Sequence, residues 1–182
     1  MRVALLLAAF AVSVALRSAV AGPDVRTSLT AGLVFAGCLL VLAVAAGTRV
    51  TITPTSLLYG VAGVIVLCLP VSIDQVLSGR PLHGTEGFVT WALVVTAVAT
   101  AEEVFLRGTL HDAVTAQAGE LLAVLVGAVC FAVLHVPLYG WEAVPLDLAV
   151  GLVLGGLRIM TGTAAAPAVA HLGADYVGWF LR

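Results

Sequence analysis

Three charged side chains, Glu102, Glu103 and Arg107, fall within six residues of a chain in which only 10% of residues are charged. They follow directly on the apolar run Trp91 to Ala99. An ionisable side chain at membrane depth costs about 2.5–3.5 kcal/mol on insertion scales, so groups retained there usually face a bundle interior and serve a purpose. On a helix Glu103 and Arg107 are four apart, share a face and can pair, with the acid on the favourable N-terminal side. Glu102 points roughly 100° away and has no such partner in its own helix. One glutamate is tied up and the other is left for chemistry. The plainer reading is that all three mark a helix end at the water interface, and the rest of the chain weighs against it.

Two further polar clusters interrupt apolar runs. Phe131-Ala132-Val133-Leu134-His135 places an aromatic ring and an imidazole four apart, and His171-Leu172-Gly173-Ala174-Asp175 does the same for an imidazole and a carboxylate. A lone helical histidine is more often a satisfied core residue than a reactive one. Two of them, with Asp175 and Glu102, are harder to dismiss. Scattered into lipid, four such groups would strain a stability margin of about 5–15 kcal/mol. They should converge on one wet cavity.

The elements that must position these residues are membrane spans. Hydrophobic residues make up 62% of the chain and mean hydropathy is +1.16, against roughly 45–50% apolar content in soluble domains. The apolar residues come in blocks of the length that crosses ~30 Å of hydrocarbon. The expected fold is all-α, a polytopic transmembrane helix bundle of about seven spans, with six to eight as the range. The spans are read as Val3 to about Leu16, Ser28 to Ala46, Ser56 to Val71, Phe88 through Arg107 and on toward Thr115, Leu121 to His135, Glu142 or Pro145 to Met160, and Ala165 to Phe180. Ser72 to Gly87 reads as a surface loop in which His83 is solvated, and the fifth span should stop before Pro137. Trp179 and Arg182 read as interface anchors. No linker or repeat divides the chain, so residues 1–182 form a single integral-membrane domain with its motif-bearing core at about 88–181.

Arg2, the short apolar run and Ala19-Val20-Ala21 resemble a secretory signal with an A-x-A site. Arg17 interrupts the approach to that site and more spans follow, so the segment is read as a first transmembrane helix. Basic residues divide three against four between the two sides, which leaves orientation undetermined. Gly151, Gly155 and Gly156 form a small-residue face for close helix approach. The net charge of −2, with no basic run, gives no footprint for nucleic acid. All eight basic residues are arginine, and Ala, Gly and Val abound, which suits a GC-rich bacterial genome and hence a bacterial plasma membrane. Cys38, Cys68 and Cys130 lie inside apolar runs without metal-ligand spacing, and packing is their default role.

Taken in order, Glu102-Glu103-x-x-x-Arg107, Phe131-x-x-x-His135 and His171-x-x-x-Asp175 resemble the three motifs of the CPBP family, the CAAX-prenyl-protease and bacteriocin-processing-like intramembrane proteases, also called Abi. The resemblance covers about Trp91 to Tyr176. It implies proteolysis of a peptide bond in or beside the membrane, with a peptide or membrane-protein tail as substrate. By position Glu102 matches the catalytic glutamate and His135 the histidine that helps it activate a water. His171 and Asp175 match the pair beside the scissile carbonyl, and Glu103 with Arg107 the supporting ion pair. The last motif more often ends in Asn. An ionised Asp cannot donate to an oxyanion, which shifts position 175 toward orienting His171 or binding metal. Glu102, His135 and His171 would also make a His₂Glu set of the kind that holds a catalytic zinc. No His-Glu-x-x-His accompanies it, and the need for a divalent metal stays open. Oligomeric state is not addressed by the sequence. A non-catalytic scaffold or immunity-type protein on the same helices, or a proton-relay transporter, are the competing classes; no repeated halves favour the last.

Overall fold

The computed structural model describes residues 2–24, 28–79 and 81–181. Arg26, Arg80 and Arg182, which entered the charge comparison and the anchor reading, lie outside the described residues. Among those described there is no strand. The helices are α1 (Arg2–Ala21), α2 (Leu29–Ala45), α3 (Pro54–Ser78), α4 (Phe88–Glu103), α5 (His111–Ala118), α6 (Glu120–Tyr139), α7 (Val144–Thr161) and α8 (Ala165–Leu181). A π-helical segment, Val104–Leu110, joins α4 to α5, so the described residues form seven long helical elements. Five are long and apolar enough to cross a membrane: Arg2–Ala21, Pro54–Ser78, Phe88–Ala118, Glu120–Tyr139 and Trp141–Thr161. α2 and α8, each 17 residues long, are nearer the lower limit for spanning.

The outer surface is rich in large apolar side chains, while the ionisable residues of α4 and the π segment turn inward among an apolar core. Leu77, Val76 and Val44 are each more than three-quarters exposed, while Glu103, Arg107 and Glu102 are at most 2% exposed. That distribution fits a lipid solvent, where backbone groups satisfy one another within helices and ionisable side chains turn inward.

Small residues bring the helices into register. A Cβ on Gly63 of α3 would stand 2.7 Å from Cβ of Ala170 on α8, and one on Gly151 of α7 would stand 2.7 Å from Cα of Ala128 on α6. Gly155 likewise abuts Val124, whereas Gly156 faces open space and does not share in that contact. Close packing of this kind substitutes for a hydrophobic driving force that lipid does not supply.

Three expectations are corrected. α3 does not end at Val71 but continues to Ser78, so the first half of the expected loop is helix. Polar Asp74 and Gln75 continue a helix as readily as they solvate a loop, and nothing breaks it before Gly79, whose φ of 61° ends it. α6 does not stop before Pro137 but runs to Tyr139, since a proline near a helix end forfeits few bonds; Gly140, at φ 81°, ends it. Trp179 is not an interface anchor. It is 7% exposed, its ring lies 4.7 Å from that of Trp91 at a tilt of 41°, and it donates through Nε1 to the Gly84 carbonyl at 2.9 Å. His83 is exposed, as expected, with its ring edge-on to Trp179.

Candidate active site

α4 ends on the two glutamates, and one helical step sends them to different neighbours. Glu103 is fully buried, and its Oε1 accepts from Nη1 of Arg107 at 2.7 Å and from Nδ1 of His171 at 2.9 Å. Arg107 also donates through Nη2 to the carbonyl of Gly151 at 3.2 Å, and its guanidinium lies 4.9 Å from the centre of the Phe131 ring. One carboxylate therefore links α4 to α8 directly, and to α6 and α7 through its arginine. The Glu103–Arg107 pair does not stand apart from the other polar residues, because His171 joins it.

Arg107 belongs to the π segment, a turn geometry that recurs at functional sites. Neighbours brace that segment. Arg158 of α7 donates through Nε to the Arg107 carbonyl at 2.7 Å and through Nη2 to Asp112 at 2.8 Å. Thr48 and Thr109 share a hydrogen bond of 2.7 Å.

Glu102 is 2% exposed and turns into a cavity of about 120 Å³, which Arg17, His135, Tyr139, His171 and Asp175 also line. The four residues expected to converge do so, from α4, α6 and α8. His135 donates through Nδ1 to the Phe131 carbonyl at 2.8 Å, one turn back on α6, which leaves Nε2 as the other functional atom of its ring. Tyr139 stacks on the His135 ring with centroids 5.7 Å apart and planes 19° apart. His171 Nε2 lies 3.6 Å from Oδ2 of Asp175, one turn further along α8.

A second cavity of about 220 Å³ backs onto the same wall and shares His135, Tyr139, His171 and Asp175. Its remaining lining is mainly apolar and includes Leu67 and Val71 of α3 with Leu146 and Val150 of α7. Asp147 is its further acid.

Arg17 and Tyr139 were not singled out from the sequence. Tyr139 sits four after His135, beyond the proline where α6 was expected to end. Arg17 carried the same signal as Glu102, a charge adjoining an apolar run, but was used only to weigh against a cleaved signal. In the structure Arg17 Nη1 lies 3.8 Å from Oε1 of Glu102. A guanidinium from α1 thus faces Glu102.

Glu102, His135 and His171 line one cavity, yet among the described residues no three His, Cys, Asp or Glu side chains form a group that could hold a metal ion. Each histidine bonds a protein acceptor through Nδ1, an arrangement that orients Nε2 and does not itself argue for or against an ion. As the side chains stand they are not gathered around one point, and no step below is routed through a metal.

No curated protein and no solved structure matches the chain. A family model described as type II CAAX prenyl endopeptidase Rce1-like matches residues 84–177, a stretch that holds Glu102, Glu103, Arg107, His135, His171 and Asp175. With half of its length matched by that model, the chain belongs to the Rce1-like family of type II CAAX prenyl endopeptidases.

Proposed function

We propose that this CAAX-type endopeptidase hydrolyses a peptide bond in or beside the membrane with a water activated by Glu102 and His135. The observation that carries the proposal is the convergence of Glu102, His135, His171 and Asp175, from three helices, on one cavity of about 120 Å³. Water held there can give its proton to the Glu102 carboxylate while Nε2 of His135 orients it as an acceptor. The oxygen then attacks the scissile carbonyl, and the carbonyl electron pair moves onto its oxygen. When the intermediate collapses the C–N bond breaks, and the proton held by Glu102 passes to the leaving nitrogen. His171, held by Glu103 on one side and Asp175 on the other, positions the group under attack.

The apolar second cavity on the far side of the same wall suits the substrate, an apolar peptide stretch or a membrane-protein tail. The arginine-only basic composition supports placement in a bacterial plasma membrane.

The test is cleavage of a panel of membrane peptides by purified, reconstituted protein. Glu102→Gln keeps the shape but loses the proton acceptor, and cleavage should fall by about 10²–10⁴-fold with the bundle intact. Unimpaired cleavage by that variant ends the mechanism. A cellular phenotype that survives Glu102→Gln would instead favour a non-catalytic role for the same scaffold.

A further inference from the structure

The second cavity, of about 220 Å³, carries one charged group that the hydrolysis proposed above leaves unused. Asp147, in the first turn of α7, lines it together with His135, His171 and Asp175. An acid in a first turn is ordinarily explained by the free backbone N–H groups there and by the positive end of the helix dipole. Asp147 is not spent on the N–H groups, because its Oδ2 is buried with no hydrogen-bond partner. The dipole would be served as well by a carboxylate turned to water. This one is half-buried on the cavity wall.

The chain does not supply the missing counter-charge. It contains no lysine, and the arginines that meet acids meet others: Arg17 faces Glu102, Arg107 holds Glu103 and Arg158 holds Asp112. Among the described residues no arginine lines this cavity. Asp175, its other acid, has Nε2 of His171 within 3.6 Å on its own helix. The walls around Asp147 are mainly apolar, with Leu67 and Val71 on one side and Leu146 and Val150 on the other. A desolvated carboxylate in such surroundings is unfavourable until a cation meets it. Lysine and arginine suit both halves of the pocket, since their aliphatic stems lie along apolar surface while the charged head seeks a polar partner. His135 and His171 stand on the wall shared with the reaction chamber, so a side chain seated here belongs to a residue close to the bond under attack.

We propose that Asp147 is a specificity-determining residue, receiving the ammonium or guanidinium of a lysine or arginine that flanks the scissile bond. The inference rests on the endopeptidase reading above and on the second cavity as the seat of the substrate. It names the substrate class as a peptide or membrane-protein tail cut beside a basic residue. Basic residues are abundant where transmembrane segments meet the cytoplasm, so cleavage at a membrane edge finds them.

The experiment starts from one peptide that the reconstituted wild-type protein cleaves, with lysine, norleucine or glutamate placed in turn at each position flanking the cut. Norleucine keeps the lysine stem without the ammonium. At one position lysine should raise kcat/KM over norleucine by about 30-fold or more, with glutamate poorest. Asp147→Asn, close in shape, should bring lysine down to the level of norleucine, and Asp147→Lys should make glutamate the preferred residue. No lysine preference at any position overturns the proposal. So does a preference that survives Asp147→Asn, which would place the acid elsewhere, or an equal loss on all three peptides, which would make Asp147 structural. Should Asp147→Asn fail to fold, Asp147→Glu carries the test. Its carboxylate reaches one methylene further, so the preference should move from lysine to the shorter ornithine; an unmoved preference overturns the proposal. Glu102→Gln separates the two levels, because peptide binding to that variant reads Asp147 without turnover. If it still cleaves but favours lysine, the water-activation mechanism fails and the role of Asp147 stands. If it is inactive and binds the lysine and norleucine peptides equally, only the role of Asp147 fails.

Discussion

His171 Nδ1 lies 2.9 Å from Oε1 of Glu103, so the second glutamate, which does not itself line the cavity, is joined to it through that histidine. Glu102 faces the cavity and Glu103 grips the histidine that lines it. The same Glu103 oxygen holds Arg107 at 2.7 Å. Support and chemistry are therefore coupled through one atom.

That coupling sets the outcome of Arg107→Ala. Removing one partner of a buried pair leaves the other charge uncompensated, at a cost of about 3–5 kcal/mol. The guanidinium also bonds the Gly151 carbonyl and packs on Phe131, so α6 and α7 lose contacts as well. Thermal stability in detergent should drop sharply, and cleavage should fall with it as His171 loses its fixed neighbour. A variant purified in normal yield, with an unchanged melting temperature, would show that the pair does not hold the bundle.

A packing contrast is available on α7. Gly151→Ala would drive a methyl group to within 2.7 Å of the Ala128 backbone, where no side-chain rotation can relieve it. Overpacking of this kind costs about 1–3 kcal/mol, and here it also displaces the carbonyl that Arg107 uses. Gly156→Ala meets nothing within 4 Å and should be neutral or slightly stabilising. Equal melting temperatures for the two variants would refute the α6–α7 contact.

These contrasts mark how far the sequence could be read. Helix class and number followed from apolar block length, and the four-residue spacings put Glu103 with Arg107, and His171 with Asp175, on shared faces. What spacing cannot reveal is which helix stands opposite. Nothing in the local sequence at Arg17 says that its guanidinium will face Glu102 of α4, and nothing at Glu103 says that its carboxylate will meet His171 of α8. The helix ends were misread for a related reason. Pro137 and the polar residues after Val71 are local signals, and a helix continues past them when no residue takes a positive φ until Gly140 or Gly79. The π segment left no local mark either, because its support comes from Arg158 on α7.

Metal removal tests the cavity's donor set. Glu102, His135 and His171 resemble a His₂Glu site in composition, but as they stand they form no group able to hold an ion. Cleavage by purified protein should survive EDTA dialysis, and zinc added back should not raise it. Loss of activity on chelation, restored by stoichiometric zinc, would show that these side chains close around an ion.

The sharpest test of the water-activating pair is a double-mutant comparison of Glu102 and His135. Both line the same cavity and are assigned to one water, Glu102 as proton acceptor and His135 as its orienting partner. Residues that act as a unit are strongly non-additive, because once the first is lost the second has nothing left to assist. Glu102→Gln and His135→Ala should each lower kcat by about 10²–10⁴-fold, and the double variant should be little slower than the slower single one. Melting temperatures of all three guard against trivial unfolding, and His135→Ala needs the closer watch because it leaves the Phe131 carbonyl without its imidazole donor. If the two losses multiply instead, Glu102 and His135 work on different steps. His135 would then belong with His171 and Asp175, on the side of the wall that it shares with the apolar cavity.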